Sequence, residues 1–219
     1  MKRQIVVSGL GRFGASLSKS LYQLGNDVLA LDTNGKRVQE IMGNVTYAVE
    51  ADSTDEAVLE DLGVRNFDAA VVAIGSNIQS SIMTTVLFKT MDMKFVVARA
   101  NNKLHGETLD RIGANLVVRP EEETGTRLAH NLFRPTVEEY MEIIPNFGIS
   151  RMPVPKRFVN MTLKETGLGG ARDKYGLAII AIKRGNNVTL SPDTDDKLRE
   201  GDVLIIAGKD DLVDKFNSD

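Results

Sequence analysis

The chain has 219 residues, 42% of them hydrophobic and 26% charged, with no cysteine and a formal net charge of −3. Disulfides, thiolate catalysis and thiolate metal sites are thereby excluded, and the lack of a basic patch argues against a nucleic-acid partner, whose phosphates demand one. No apolar run approaches the roughly 18 residues of a membrane helix, and Met1-Lys2-Arg3-Gln4 leads straight into a strand pattern without a secretory apolar region, so a cytoplasmic protein is expected.

From residue 1 to about residue 118, short β-branched runs alternate with longer helical patterns, which predicts a parallel sheet with covering helices. Strands are expected at Gln4–Ser8, Asp27–Asp32, Tyr47–Ala51, Ala69–Ile74, Phe95–Ala100 and Leu116–Arg119. Each is apolar over most of its length, as strands buried on both faces should be. Phe13, Leu17, Leu21 and Leu24 share one helical face, and Gly25 follows as a stop. Further helices are expected over Gly35–Met42, Ser53–Leu62, Ile78–Met91 and Lys103–Ile112, the second of these opening with a Ser53-to-Glu56 capping box. Six strand-and-helix units make a complete Rossmann-type α/β domain.

After Arg119 the texture changes. Pro120-Glu121-Glu122-Glu123 leads into a helical pattern over Thr126–Phe133, and Arg134-Pro135 breaks it. Short strands and glycine-rich turns follow: a run over Gly176–Lys183, a Gly185-Asn186-Asn187 turn, strands Val188–Leu190 and Val203–Ala207, and a closing helix near Asp210–Asn217. The expected organisation is a Rossmann nucleotide-binding lobe with a crossover helix over 1–134 and a small α+β domain over 135–219.

The first strand ends in Gly9-x-Gly11-x-x-Gly14 and opens a helix, the context a dinucleotide fingerprint requires. Gly9 allows the tight turn, Gly11 lets the backbone approach a phosphate, and Gly14 lets helix pack closely on strand. Free amides and the positive helix end then face an anion. Asp32 ends the second strand about 20 residues past the glycines, where an acid binds the ribose hydroxyls. An acid in that slot disfavours a 2′-phosphate, so NADP is not the expected ligand. Arg12 reads either as a solvated residue of the first helical turn or as a guanidinium that forks onto a terminal phosphate. Asp52 follows the third strand, on the adenine side. The tips Gly75-Ser76-Asn77 and Arg99-Ala100-Asn101 lie at carboxyl ends of strands, where open α/β sheets bind ligands. Glu121, Glu122 and Glu123 read as a solvated helix start or as oxygen ligands for a hard cation.

Catalytic equipment is sparse. The two histidines, His105 and His130, fall in helical patterns among polar neighbours and read as surface residues. There is no G-x-x-x-x-G-K phosphate loop for phosphoryl transfer, and the region after residue 134 is small for a substrate domain over a nicotinamide. A non-catalytic nucleotide binder is expected, with an NAD-dependent oxidoreductase as the alternative.

The stretches "VSGLGRFGASLSKSL", "ADSTDEAVLEDLGVRNFDAAVVAIGSNIQSSIMTT", "KYGLAIIAIKRG" and "LSPDTDDKLREGDVLIIAG" resemble the regulatory subunits of Ktr-type and Trk-type bacterial potassium uptake systems, built from an RCK (KTN) N-lobe and a small RCK C-lobe. The resemblance covers essentially the whole chain and is closer to the Ktr kind. It implies an octameric ring of dimers docked on a membrane potassium-translocating subunit, with ATP and ADP competing for the Rossmann site and NAD or NADH as the ligand of Trk-type relatives. It also implies that Arg12 reaches the ATP γ-phosphate and that Glu121 helps hold a divalent cation, Mg or Ca, at the dimer interface. The nucleotide contacts expected from motif and resemblance together are Gly9, Gly11, Arg12, Phe13, Gly14, Asp32, Thr33, Asp52, Ser53, Ile74, Gly75, Asn77 and Arg99. Some members bind cyclic di-AMP in the C-lobe near the positions of Arg172 and Pro192; here Asp173 follows the arginine, and an acid beside a bis-phosphate is unfavourable.

Overall fold

The computed structural model describes residues 2–132, 139–168 and 176–218. They form two compact units, Met1–Glu122 and Glu123–Asp219. The domain boundary expected between residues 134 and 135 lies outside the described residues, as do Arg172 and Asp173.

The first unit holds a six-stranded parallel sheet with covering helices. In chain order it runs β1 (Gln4–Ser8), α1 (Arg12–Gln23), β2 (Asp27–Asp32), α2 (Gly35–Ile41), β3 (Tyr47–Glu50), α3 (Glu56–Asp61), β4 (Ala69–Val72), α4 (Ile78–Thr90), β5 (Val96–Arg99), α5 (Lys103–Arg111) and β6 (Leu116–Val118). The strand order is β3-β2-β1-β4-β5-β6. The order reverses between β1 and β4, and sheets of this type take ligands beyond the carboxyl ends of the strands at such a reversal. Side chains of each strand alternate between two cores. Val6, Leu29 and Leu31 meet Leu59 of α3, Phe88 of α4 and Leu109 of α5 on one face. Ile5, Val7, Val28 and Ala30 meet Leu17 and Leu21 of α1 and Val38 and Ile41 of α2 on the other.

The expected strands and helices of this unit are all present, most of them shorter by one or two residues at an end. One start is different. α3 opens at Glu56, and its cap is Asp55, whose side chain accepts from the Ala57 N–H. The expected Ser53-to-Glu56 capping box does not form because the Ser53 hydroxyl is drawn inward. It lies 2.5 Å from the Ser8 hydroxyl and 3.0 Å from that of Thr84 on α4, a buried chain of oxygens below the sheet's carboxyl edge.

α6 (Pro120–Leu132) begins six residues earlier than the pattern Thr126–Phe133 suggests. Proline is pre-shaped for a first helical position, and the three glutamates that follow favour the positive end of the helix. The second unit continues with β7 (Glu139–Ile144), β8 (Phe147–Pro153), α7 (Leu163–Thr166), β9 (Ala178–Arg184), β10 (Asn187–Leu190), β11 (Val203–Lys209) and α8 (Asp210–Ser218). Its five-stranded sheet has the order β10-β9-β11-β8-β7, with every pairing antiparallel. Met152, Leu204, Ile206 and Ile182 pack under Val213 and Phe216 of α8. α8 is held by Arg157, which donates to the Phe216 carbonyl and lies over the Phe158 ring, itself stacked on Phe216. Among the described residues no helix is long and apolar enough to cross a membrane.

Candidate nucleotide site

The three fingerprint glycines serve different needs. Gly9 has φ of +96°, and a Cβ there would sit 2.9 Å from the Ile74 backbone nitrogen. A Cβ on Gly14 would overlap the Gly9 carbonyl oxygen, so α1 can lie this close to the loop only without one. Gly9 and Gly14 are therefore demanded by the chain's own packing. Gly11 is not: its φ is −65°, and a Cβ there would meet nothing within 4 Å. It stands at the N-terminus of a 12-residue helix with no side-chain cap, so the first amides of α1 remain open to an acceptor.

Asp32 sits beside this loop and is 8% exposed. Its Oδ2 accepts from the Leu10 N–H at 2.6 Å and its Oδ1 from the Asn34 N–H at 2.8 Å. The acid that sequence reasoning assigns to the ribose therefore also ties the glycine loop to the end of β2. Thr33, next to it, is exposed. Arg12 is the first residue of α1 and is exposed, on the same loop as Gly11. Asp52 is exposed past β3, one oxygen engaged by the Thr54 N–H and hydroxyl in a local turn.

The opposite wall is braced from β5. Arg99, with 18% of its side chain exposed, donates to Glu121 Oε1 at 2.5 Å and lies 6.0 Å from the centre of the Phe13 ring. The Arg99 guanidinium passes close over Gly75, so a Cβ there would push it aside. The Asn101 side chain donates to the Gly75 carbonyl, which ties the tip after β4 to the tip after β5. Asn77 caps α4 by accepting from the Ser80 N–H. Ile74 is half-buried and packs on the core. Gly9, Gly11, Arg12, Phe13, Gly14, Asp32, Gly75 and Arg99 thus lie together at the carboxyl edge of the sheet, whereas the Ser53 hydroxyl is committed to the interior.

His105 corrects the expectation of a surface residue. It is buried on α5, its Nδ1 accepts from the Asn101 N–H at 3.2 Å, and burial pushes its pKa below the usual histidine value. The ring props up the backbone just past β5. The side chain of His130 lies outside the described residues. Among the described residues no three His, Cys, Asp or Glu side chains are grouped to hold a metal ion, and Glu121 is engaged by Arg99.

Sequence reasoning missed Arg37 and the amide of Leu10. Arg37 lies on the exposed side of α2 and reaches back 3.3 Å to Asp32 Oδ2. The signal was available in principle, since a residue in the first turn of a helix that follows a strand end can reach back to that end.

The TrkA-N domain family matches residues 5–120 and the TrkA-C domain family residues 149–218. The chain is 38% identical over 99% of its length to the Ktr system potassium uptake protein C of Bacillus subtilis, covering 96% of that protein. It is 36% identical, over the same shares, to the Ktr system potassium uptake protein A of that organism. Among solved structures, the GsuK RCK domain superposes with a TM-score of 0.57 at 22% identity, over 98% of this chain and 45% of the other. The GsuK channel bound to NAD gives 0.56 over 98% of this chain and 38% of that one. The chain thus shares the fold of the RCK domain, a parallel six-stranded lobe with a small antiparallel second unit. By the match of both domain families and the near-full-length identity to the two Bacillus proteins, this chain belongs to the TrkA-N/TrkA-C family of Ktr-type potassium uptake proteins.

Proposed function

We propose that the chain is a cytoplasmic, non-catalytic gating subunit of a potassium uptake system, which binds ATP or ADP at the glycine loop and regulates potassium flux through a membrane-embedded partner. The observation that carries this reading is the 38% identity to a Ktr system potassium uptake protein across 99% of the chain, since it spans the nucleotide site and the second unit together. The opening beside Gly11 fits a phosphate, and the Asp32 carboxylate next to it fits a ribose. In this reading the subunits assemble as a ring of dimers, eight in all.

A ligand shifts a conformational equilibrium only by the difference in its affinity for the two states. ATP and ADP differ by one phosphate, so the sensing contact must reach past the amides of the loop. Arg12, exposed on the first turn of α1, is the side chain in this reading that does so. Glu121 is the carboxylate that a divalent cation would use; one carboxylate makes no cation site alone, so the other ligands would be nucleotide phosphates or a second copy of the chain. The GsuK channel, whose solved structures are described as bound to NAD and to ADP, supports NAD(H) as a second reading, because the glycine loop and Asp32 suit either ligand. A cyclic di-AMP site in the second unit would use Arg172 and Pro192.

The test is Arg12→Ala. A charge-assisted hydrogen bond is worth about 1.5–3 kcal/mol, so ATP affinity should fall about tenfold or more while ADP affinity changes less than about twofold. Isothermal titration of both nucleotides measures the split. Equal loss for ATP and ADP would take the terminal-phosphate role away from Arg12.

A further inference from the structure

An acid at the end of β2 rejects a phosphorylated ribose if it acts as a lone charge, and Asp32 is not alone. A carboxylate offers about four lone-pair sites. Three on Asp32 are engaged, by the Leu10 N–H at 2.6 Å, the Asn34 N–H at 2.8 Å and Arg37 Nη1 at 3.3 Å. The two amides belong to the backbone on either side and are fixed with it. Arg37 makes the longest of the three contacts, and its side chain is 48% exposed against 6% for that of Asp32. The carboxylate is therefore the fixed partner and the guanidinium the movable one.

We propose that Arg37 is the specificity-determining residue at the ribose end of the site, an inference that rests on the nucleotide reading above. In the free protein its guanidinium occupies one of the two lone pairs that a ribose diol needs, so both hydroxyls dock on Asp32 only by displacing it. A ribose carrying a 2′-phosphate meets a different site. Its phosphate takes the guanidinium as a forked donor, and Asp32 keeps its charge compensated. The pair thus accepts both a free diol and a phosphorylated ribose, where a lone acid would accept the first and repel the second. The ligand class assigned here is an adenosine nucleotide whose ribose carries an additional phosphate, alongside the unmodified nucleotide.

The experiment titrates the full chain and its Arg37→Ala variant with ADP and with 2′-phospho-ADP. Alanine is the best helix former and Arg37 is exposed on α2, so the variant retains the fold. Wild type should bind 2′-phospho-ADP at least as tightly as ADP. Arg37→Ala should weaken 2′-phospho-ADP about tenfold, through loss of a charge-assisted contact. It should leave ADP unchanged or up to about fivefold tighter, the range of an exposed ion pair released. Arg37→Lys should restore part of the 2′-phospho-ADP affinity. Wild type that binds ADP but excludes 2′-phospho-ADP overturns the proposal and leaves the nucleotide reading standing, as does a variant in which both ligands shift equally. Wild type that binds neither overturns the nucleotide reading and this proposal with it.

Discussion

Gly14→Ala is expected to abolish nucleotide binding and to destabilise the N-terminal unit by about 3 kcal/mol. The added methyl would overlap the Gly9 carbonyl oxygen and come 3.0 Å from the Ala73 Cβ. Neither neighbour can yield cheaply. The Gly9 N–H is held by the Leu31 carbonyl at 2.8 Å, and Ala73 is tied to β1 through the Ser8 carbonyl at 2.7 Å. The only relief is to lift α1 off the loop, which breaks the alignment of the first helical amides with the loop. Gly11→Ala supplies the contrast. Its methyl meets open space at an ordinary φ, so unfolding stability should change by less than about 0.5 kcal/mol while nucleotide binding weakens through steric exclusion of the phosphate. Chemical denaturation and titration on both variants separate the two roles. A Gly11→Ala protein that binds nucleotide as wild type does would move the phosphate away from this loop.

Arg184→Ala should cost the second unit about 3 kcal/mol. Asp202 is 1% exposed, and Arg184 grips it with Nε at 2.8 Å and Nη2 at 2.6 Å while also donating to the Lys197 carbonyl. Without the arginine a buried carboxylate is left with the Arg199 N–H at 2.8 Å as its donor among the described residues. The pair joins the end of β9 to the residue that begins the return into β11, so its loss loosens the centre of the five-stranded sheet. The Arg184 hydrogen bond holds the Asp202 pKa below the usual carboxylate value, the Arg199 amide adding to it and burial opposing. A depressed carboxylate pKa contributes stability that is fully present above the unfolded value, about 3.9, and is lost as pH falls through the folded one. The gap between wild type and Arg184→Ala should therefore be constant from neutral pH to about pH 5 and shrink below about pH 4. Unfolding monitored by circular dichroism across that range measures it. A difference under 1 kcal/mol at pH 7 would mean that the pair behaves as an exposed ion pair.

The parallel sheet was legible because strands buried on both faces read as unbroken apolar runs, and because the glycine turn fixes where the first helix starts. The second unit was less so. The β7–β8 hairpin hides in Glu139–Pro153, since β7 exposes most of its residues and shows no alternation, and its turn at Pro145-Asn146 carries no Asn-Gly or Asp-Gly signal. Capping shows the limit of local reading most directly. Ser53-x-x-Glu56 and Thr162-x-x-Glu165 are the same motif, yet only the second is a capping box. Ser53 is claimed by Ser8 and Thr84, partners 45 and 31 residues away, and local pattern carries no trace of them. The site shows the same division. Gly9, Gly11, Gly14 and Asp32 lie in one motif and were found together. Arg37 on Asp32, Arg99 over Gly75 and the burial of His105 depend on packing between elements, and only the fold brings them to view.

The central claim is that this chain distinguishes ATP from ADP, and the most direct measurement is a calorimetric titration of the purified full chain with ATP, ADP and NADH, each with and without a divalent cation. The account predicts that ATP and ADP compete for one site per chain and that the cation strengthens ATP over ADP. Tight binding of NADH with ATP and ADP inert would contradict it.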